Sequence, residues 1–150
     1  MAARRPTAFM DRFSAVARCL RSAAAQTYGT FEVGSTQAKF LRQIARTSGI
    51  SQAELARATA TDPTLTGRAL ETLIERGWVR RKRSQQDRRQ YVLELSAAGQ
   101  RTRARVEKAR SGIAQRAVAA LDARDLAAFD RIAEKLLDAF AGDAAGLGGT

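Results

Sequence analysis

The chain has 150 residues, 26 of them Lys or Arg against 15 Asp or Glu, with a formal net charge of +11; that is the length of about one domain with one modest core. It has no His and a single Cys, Cys19, which excludes the common Cys/His zinc sites, an internal disulfide and a His-based catalytic triad. No metal, cofactor or catalytic residue is therefore expected, and the chain reads as not an enzyme. Only four of the basic residues are Lys. The Arg excess favours a phosphate-rich partner, because the planar guanidinium matches phosphate oxygens and guanine edges. An anionic membrane is the competing partner, but no run approaches the ~20 apolar residues of a spanning helix. The start MAARRPTAF lacks the apolar core of a signal peptide, so no membrane partner and a cytoplasmic location are expected.

Along the chain, Phe9, Phe13, Val16, Leu20 and Ala23 recur at three-four spacing and predict a first helix over 7–27. Tyr28 to Gly34 carries two glycines and reads as a connection. Ser35 is placed to cap a second helix bearing Phe40, Leu41, Ile44 and Ala45, stopped by Ser48 and Gly49. The stretch SQAE has capping-box spacing, Ser51 with Glu54, and opens a short third helix to about Ala58. Asp62 followed by Pro63 signals a fourth helix, 63–76, ended by Gly77. Its spacing puts Thr66, Leu70 and Leu73 on a buried side, with Thr64, Gly67, Arg68 and Glu71 facing away.

The next stretch, RRKRSQQDRRQY (80–91), holds six positive charges against the single Asp87. Its flanks predict a hairpin: a strand over 78–84, a turn at 85–87 and a returning strand over 88–95 with Tyr91, Leu93 and Leu95 on one face. Two helices close the chain. Ser96 caps the first, with Val106, Ala109, Ile113, Ala117 and Leu121 as its stripe, and the second carries Leu126, Phe129, Ala133, Leu136 and Phe140. The Gly/Ala-rich residues 142–150 read as a disordered tail.

A short helix, a tight turn, a second helix and a basic hairpin make a winged helix-turn-helix lobe, so the fold class is mainly α with a small β-hairpin wing and a helical dimerisation region. The second helix of such a pair fits the major groove, with N-terminal side chains on base edges and its amide dipole toward phosphate. The wing then lies along the backbone or in the minor groove, where a narrow A·T-rich segment attracts Arg. The three terminal helices carry more apolar surface than one small lobe can cover, which points to a two-fold interface. The expected division is 1–34 for an N-terminal dimerisation helix and connection, 35–95 for the lobe, 96–141 for the C-terminal dimerisation helices and 142–150 for the tail.

The run from Asp62 to Gln100 resembles the MarR-type regulators. Its motifs are Leu73 to Gly77 at a helix end, then Trp78 and Val79, Asp87 with Arg89 at a wing tip, and Leu95, Ser96 and Gly99 after the last strand. The resemblance implies a homodimeric transcription regulator, a repressor released by a small anionic aromatic effector, on a near-palindromic site in double-stranded DNA. A sequence-tolerant architectural DNA binder is the other reading of the same charge. DNA contacts are expected from Ser51, Gln52, Thr64, Thr66, Gly67, Arg68, Arg83, Arg88 and Arg89, with Arg68 set against guanine. By resemblance, Asp87 shapes the wing by pairing with a nearby Arg. Dimer contacts are expected from Phe9, Phe13, Val16, Leu126, Phe129, Leu136 and Phe140, and ligand contacts from Arg18 and Arg21. Leu65 reads either as a contact to a thymine methyl or as packing on a neighbouring helix. Cys19, beside Val16 and Leu20, reads as buried and inert rather than redox-sensing, and Trp78 as packed into the lobe.

Overall fold

The computed structural model describes residues 6–146. They form α1 (Pro6–Gly29), α2 (Ser35–Arg46), α3 (Gln52–Ala58), α4 (Pro63–Glu75), β1 (Val79–Arg83), β2 (Tyr91–Leu95), α5 (Ala97–Val118) and α6 (Ala123–Gly146). The described residues fall into two compact units divided between Ile113 and Ala114.

In the first unit, the apolar faces of five elements meet in one core. Phe40, Leu41 and Ile44 of α2 pack with Ile50, Leu55 of α3, Leu70 and Leu73 of α4, Val79 of β1, and Leu93 and Leu95 of β2. Each fully buried Leu or Phe removes enough apolar surface from water to contribute about 1.5–3 kcal/mol. A second cluster joins Tyr28, Val33, Ala38 and Val106, and Trp78 touches both. That cluster explains why the compact unit runs past the expected divisions after 34 and 95: α1, α2 and α5 bury their side chains together there.

The helix ends follow local chemistry. Ser51 Oγ accepts the Glu54 N–H (3.2 Å) and Glu54 Oε2 accepts the Ser51 N–H (2.7 Å), so α3 opens with the predicted reciprocal box. These bonds hold the Glu54 carboxyl below its ordinary range, first through the Ser51 backbone N–H and then its hydroxyl. Asp62 Oδ1 accepts the N–H groups of Thr64 (2.9 Å) and Leu65 (3.1 Å), with Pro63 as the first helical residue of α4. In α2 the cap is Gly34 rather than Ser35, because Gln37 Oε1 reaches back to the Gly34 N–H (3.0 Å) and leaves Ser35 inside the first turn. Between α3 and α4, Ala60 takes a left-handed φ of 47°. Gly77, at φ 71°, ends α4, and the Trp78 N–H returns to the Leu73 carbonyl (2.9 Å).

The antiparallel hairpin pairs Val79 with Leu95 through Arg83 with Tyr91. Both strands are shorter than expected because residues 84–90 belong to the turn. Leu93 and Leu95 are buried, but Tyr91 is exposed where the hairpin extends beyond the core. The loop before α3 docks on this hairpin through the Leu93 N–H, which donates to the Ile50 carbonyl (2.8 Å).

At the start of α5, Ser96 Oγ accepts the Gly99 N–H (3.0 Å) and donates to the Gly77 carbonyl, while the Ser96 N–H donates to the Trp78 carbonyl (3.0 Å). Gly99 lies so close to Trp78 that a β-carbon there would stand 2.0 Å from the Trp78 carbonyl oxygen. Farther along α5, Val106 is fully buried and Ala109 and Ile113 are half-buried.

The second unit holds the last turn of α5 and all of α6. Asp122 and Asp125 cap α6 reciprocally, each backbone N–H meeting the other's carboxylate at 3.1 and 2.8 Å. Leu126, Ala133 and Leu136 are half-buried, whereas Ala117, Leu121, Phe129, Ile132, Leu137 and Phe140 are exposed. Helix α6 continues to Gly146, through five residues of the expected disordered tail; Ala144 and Ala145, strong helix formers, favour extension of the preceding turns. Residues 147–150 lie outside the described residues. No described helix is long and apolar enough to cross a membrane.

Gly99→Ala is expected to lower unfolding free energy by about 3 kcal/mol, since the overpacked atom is a backbone carbonyl held by the hairpin; urea unfolding measures it, and an unchanged midpoint would contradict the close approach. Ser51→Ala should cost about 1 kcal/mol through loss of the cap. Because the folded Glu54 carboxyl titrates below its unfolded value, its contribution is present above the ordinary carboxylate range and disappears as pH falls through the folded value. The stability difference between wild type and Glu54→Gln should accordingly close in acid.

Candidate nucleic-acid interface

Helix α4 presents two different faces. Thr66, Leu70 and Leu73 are fully buried, while Thr64, Leu65, Arg68 and Thr72 are exposed. Among the described residues, the Arg68 side chain has no ion-pair or hydrogen-bond partner. Thr66 cannot meet an outside partner as expected: it is 0% exposed, and its hydroxyl donates to the Asp62 carbonyl (2.9 Å). The surrounding apolar side chains leave that internal bond as its outlet.

The expected close approach at Gly67 is made by the protein itself. A β-carbon on Gly67 would lie 3.4 Å from Gln52 Nε2, so α3 fills the space. Gln52 also lies 3.4 Å from Arg81 Nη2, and Arg81 forms an ion pair with Glu71 at 2.8 Å. Residues on α3, α4 and β1 are thus drawn together. Ser51 and Gln52 are both half-buried, and the Ser51 hydroxyl is used in the α3 cap.

The amide end of α4 also differs from expectation. Asp62 occupies the Thr64 and Leu65 N–H groups, placing a carboxylate where the helix dipole would otherwise attract phosphate. Side chains beyond the first turn, not the amide end, offer α4's positive charge.

The wing sorts its cations by partner. Arg80 pairs with Glu94 at 2.6 Å, with Lys82 4.0 Å from the same carboxylate, and Arg81 pairs with Glu71. Arg83 lies over the Tyr91 ring, 4.5 Å from its centroid, and donates to the Arg88 carbonyl (2.8 Å). That leaves Arg88 and Arg89 exposed at the tip, their side chains unpaired among the described residues. Arg83, Ser84, Gln85 and Arg88 line a cleft there.

Asp87 shapes this tip through the backbone rather than by an ion pair with Arg. Its Oδ1 accepts the Arg89 N–H (3.0 Å), its carbonyl accepts the Gln90 N–H (3.0 Å), and no guanidinium lies within ion-pair distance among the described residues. The short Asp side chain satisfies the turn's own amides before it can reach a neighbour. Ser84 is buried, and its hydroxyl accepts the N–H groups of Gln86 (3.2 Å) and Asp87 (3.3 Å).

Trp78 packs against both core clusters, and the Arg76 guanidinium covers its ring at 3.7 Å while donating to the Glu32 carbonyl. On α1, Phe9, Phe13, Val16 and Leu20 are 43–61% exposed. Cys19 is exposed too, contrary to the expected burial, because the stripe beside it has no cover in the single chain. Arg18 and Arg21 are exposed on the same helix and line neither the wing cleft nor the groove between α3 and α4. No group of three or more His, Cys, Asp or Glu suited to a metal occurs among the described residues.

Sequence reasoning missed Glu71 with Arg81 and Arg80 with Glu94. The second was within reach, since register pairs those strand positions; the first depends on the turn at Gly77, which no periodicity supplies.

Residues 34–91 match the MarR family. The chain is 36% identical over 72 residues to the HTH-type transcriptional regulator BilQ of Clostridium symbiosum; the match covers 48% of this chain and spans about half, 48%, of that relative's length. A MarR transcriptional regulator from Methanosarcina mazei superposes with a TM-score of 0.77 at 24% identity, over 89% of this chain and 96% of that one. A mutant MarR from E. coli, solved in complex with operator DNA, does so at 0.74 and 20% identity, over 85% and 91%. The matched segment runs from the cap of α2 to the start of β2 and holds every element of the helix-turn-helix, and the mainly helical chain with its two-stranded hairpin has the fold of the MarR winged-helix structures it superposes on.

Proposed function

We propose that the chain is a sequence-specific, double-stranded DNA-binding transcription regulator: a homodimeric repressor released by a small anionic aromatic ligand. One observation carries the reading. Within a single compact unit, the cations left without carboxylate partners include Arg68 on the open face of α4 and Arg88 and Arg89 at the wing tip, which are the positions a groove-reading helix and a backbone-following wing require. The likeness to E. coli MarR, solved with operator DNA, supports it.

Arg68 then meets a guanine, Thr64 a phosphate or base edge, and the tip arginines the phosphates or a narrow minor groove. Arg83 holds the wing's shape, and Ser51 and Gln52 contribute chiefly by seating α3. Dimerisation is assigned to the uncovered apolar faces: Phe9, Phe13 and Val16 on α1, and Phe129 and Phe140 with the half-buried Leu126 and Leu136 on α6. Large apolar side chains left uncovered along a helix mark an interface. Two half-sites of a near-palindromic operator would lie about 34 Å apart, centre to centre. Arg18 and Arg21 are assigned the ligand's anionic group. Release follows only if the ligand prefers a dimer whose recognition helices are wrongly spaced.

The deciding experiment is selection of bound duplexes from random DNA, followed by titration of the selected sequence and a scrambled duplex at two salt concentrations. A preference of ~10³ that survives the higher salt supports the reading; equal binding that collapses with salt replaces it with a sequence-tolerant phosphate binder. Arg68→Ala should lose about 1–3 kcal/mol of discrimination at particular base pairs, whereas Arg89→Ala should weaken all sequences alike and reduce the salt slope by about one.

Sedimentation tests the assembly. Phe13→Glu combined with Phe140→Glu is expected to give a folded monomer that binds the palindrome no better than one half-site; a dimer unchanged at micromolar concentration would reassign the interface.

A further inference from the structure

Within residues 35–95 the exposed large apolar side chains are Leu65 and Tyr91. The Tyr91 ring is covered by the Arg83 guanidinium. Leu65 is 49% exposed and is not among the residues of the core cluster. It stands in the first turn of α4, beside Thr64 and three residues before Arg68, about a quarter turn around the helix from the face formed by Thr66, Leu70 and Leu73.

The backbone at this point is fixed. The Leu65 N–H donates to Asp62 Oδ1 (3.1 Å), and a helical side chain leans toward the helix N-terminus, so Leu65 projects over the leading turn of α4. An α-helix entering a major groove by that end meets one apolar group on the unmodified bases, the C5 methyl of thymine. We infer that Leu65 reads a thymine methyl in each half-site and is a specificity determinant alongside Arg68. The inference rests on the DNA-binding reading above and adds the identity of one base to it.

Spacing makes the claim narrower. Three residues of helix advance about 4.5 Å, and stacked bases are about 3.4 Å apart, so the thymine falls within two base pairs of the guanine met by Arg68. Asp62 adds a reason for selectivity here: its carboxylate already holds the leading amides, so a phosphate gains nothing from the Leu65 N–H, and the Leu65 side chain is left to face the groove floor.

The test replaces each thymine of the selected duplex in turn with deoxyuridine, which removes only the methyl, and each guanine with 7-deazaguanine, which removes the N7 acceptor. Wild-type protein should lose about fourfold in affinity at one thymine per half-site. Leu65→Ala should bind the thymine and deoxyuridine duplexes equally at that position while keeping its sensitivity to deazaguanine. The deazaguanine position silenced by Arg68→Ala should lie within two base pairs. Helical content and thermal unfolding of Leu65→Ala should match wild type, since the side chain is outside the core.

No methyl-sensitive thymine in an otherwise sequence-specific complex overturns the inference and leaves the regulator reading standing. Methyl sensitivity that persists in Leu65→Ala, or that lies farther than two base pairs from the Arg68 guanine, also overturns it. Equal binding of selected and scrambled duplexes overturns both together.

Discussion

The end of α4, the start of the hairpin and the start of α5 depend on a contact made almost without side chains: the Trp78 carbonyl oxygen against the bare Cα of Gly99. Ser96 ties the same point twice, through its N–H to Trp78 and its hydroxyl to Gly77. Gly77 can end α4 with a left-handed φ because it lacks a β-carbon, and Gly99 can come close for the same reason. Trp78, between the two core clusters, makes the junction rigid in both directions. A shift at this point would tilt α4 and the hairpin together.

Charge is arranged with comparable economy. Six cations crowd one hairpin, yet Glu94 and Glu71 each take an Arg near the body of the lobe and leave the density at the tip. Pairs this exposed contribute little to stability; their effect is to fix which cations remain available. Arg83 belongs to an intermediate class, charged but stacked on Tyr91 and bonded to the turn, so its side chain is ordered before any partner arrives.

Local chemistry was readable in the chain because it needs only near neighbours. The Ser51–Glu54 box, the Asp62–Pro63 start, the Gly77 stop and the Ser96 cap all use partners two to five residues away. Periodicity likewise assigned the core face of α4, including Thr66, whose inward position is incompatible with the DNA contact expected of it. What periodicity cannot supply is the identity of whatever covers a stripe. Val16 and Leu20 have the spacing of buried residues and are exposed, and Cys19 beside them is exposed as well. Contacts set by tertiary placement, such as Gln52 against Gly67 and Arg81 against Glu71, were out of reach for the same reason. Asp87 was expected to pair with a nearby Arg and instead bonds the Arg89 amide, since a turn offers a carboxylate backbone amides sooner than it offers a guanidinium.

Asp62 has a kinetic consequence for the reading proposed above. The leading end of α4 carries a carboxylate while the wing tip carries unpaired guanidinium groups, so on that reading the tip draws phosphate more strongly than the helix end does. Under the proposed reading, long-range attraction would bring the tip in first, and the helix end would gain little until it lay over the groove. Docking would then be ordered in time: loose capture by the wing, sliding without a trapped helix, and insertion where the bases offer the helix its contacts.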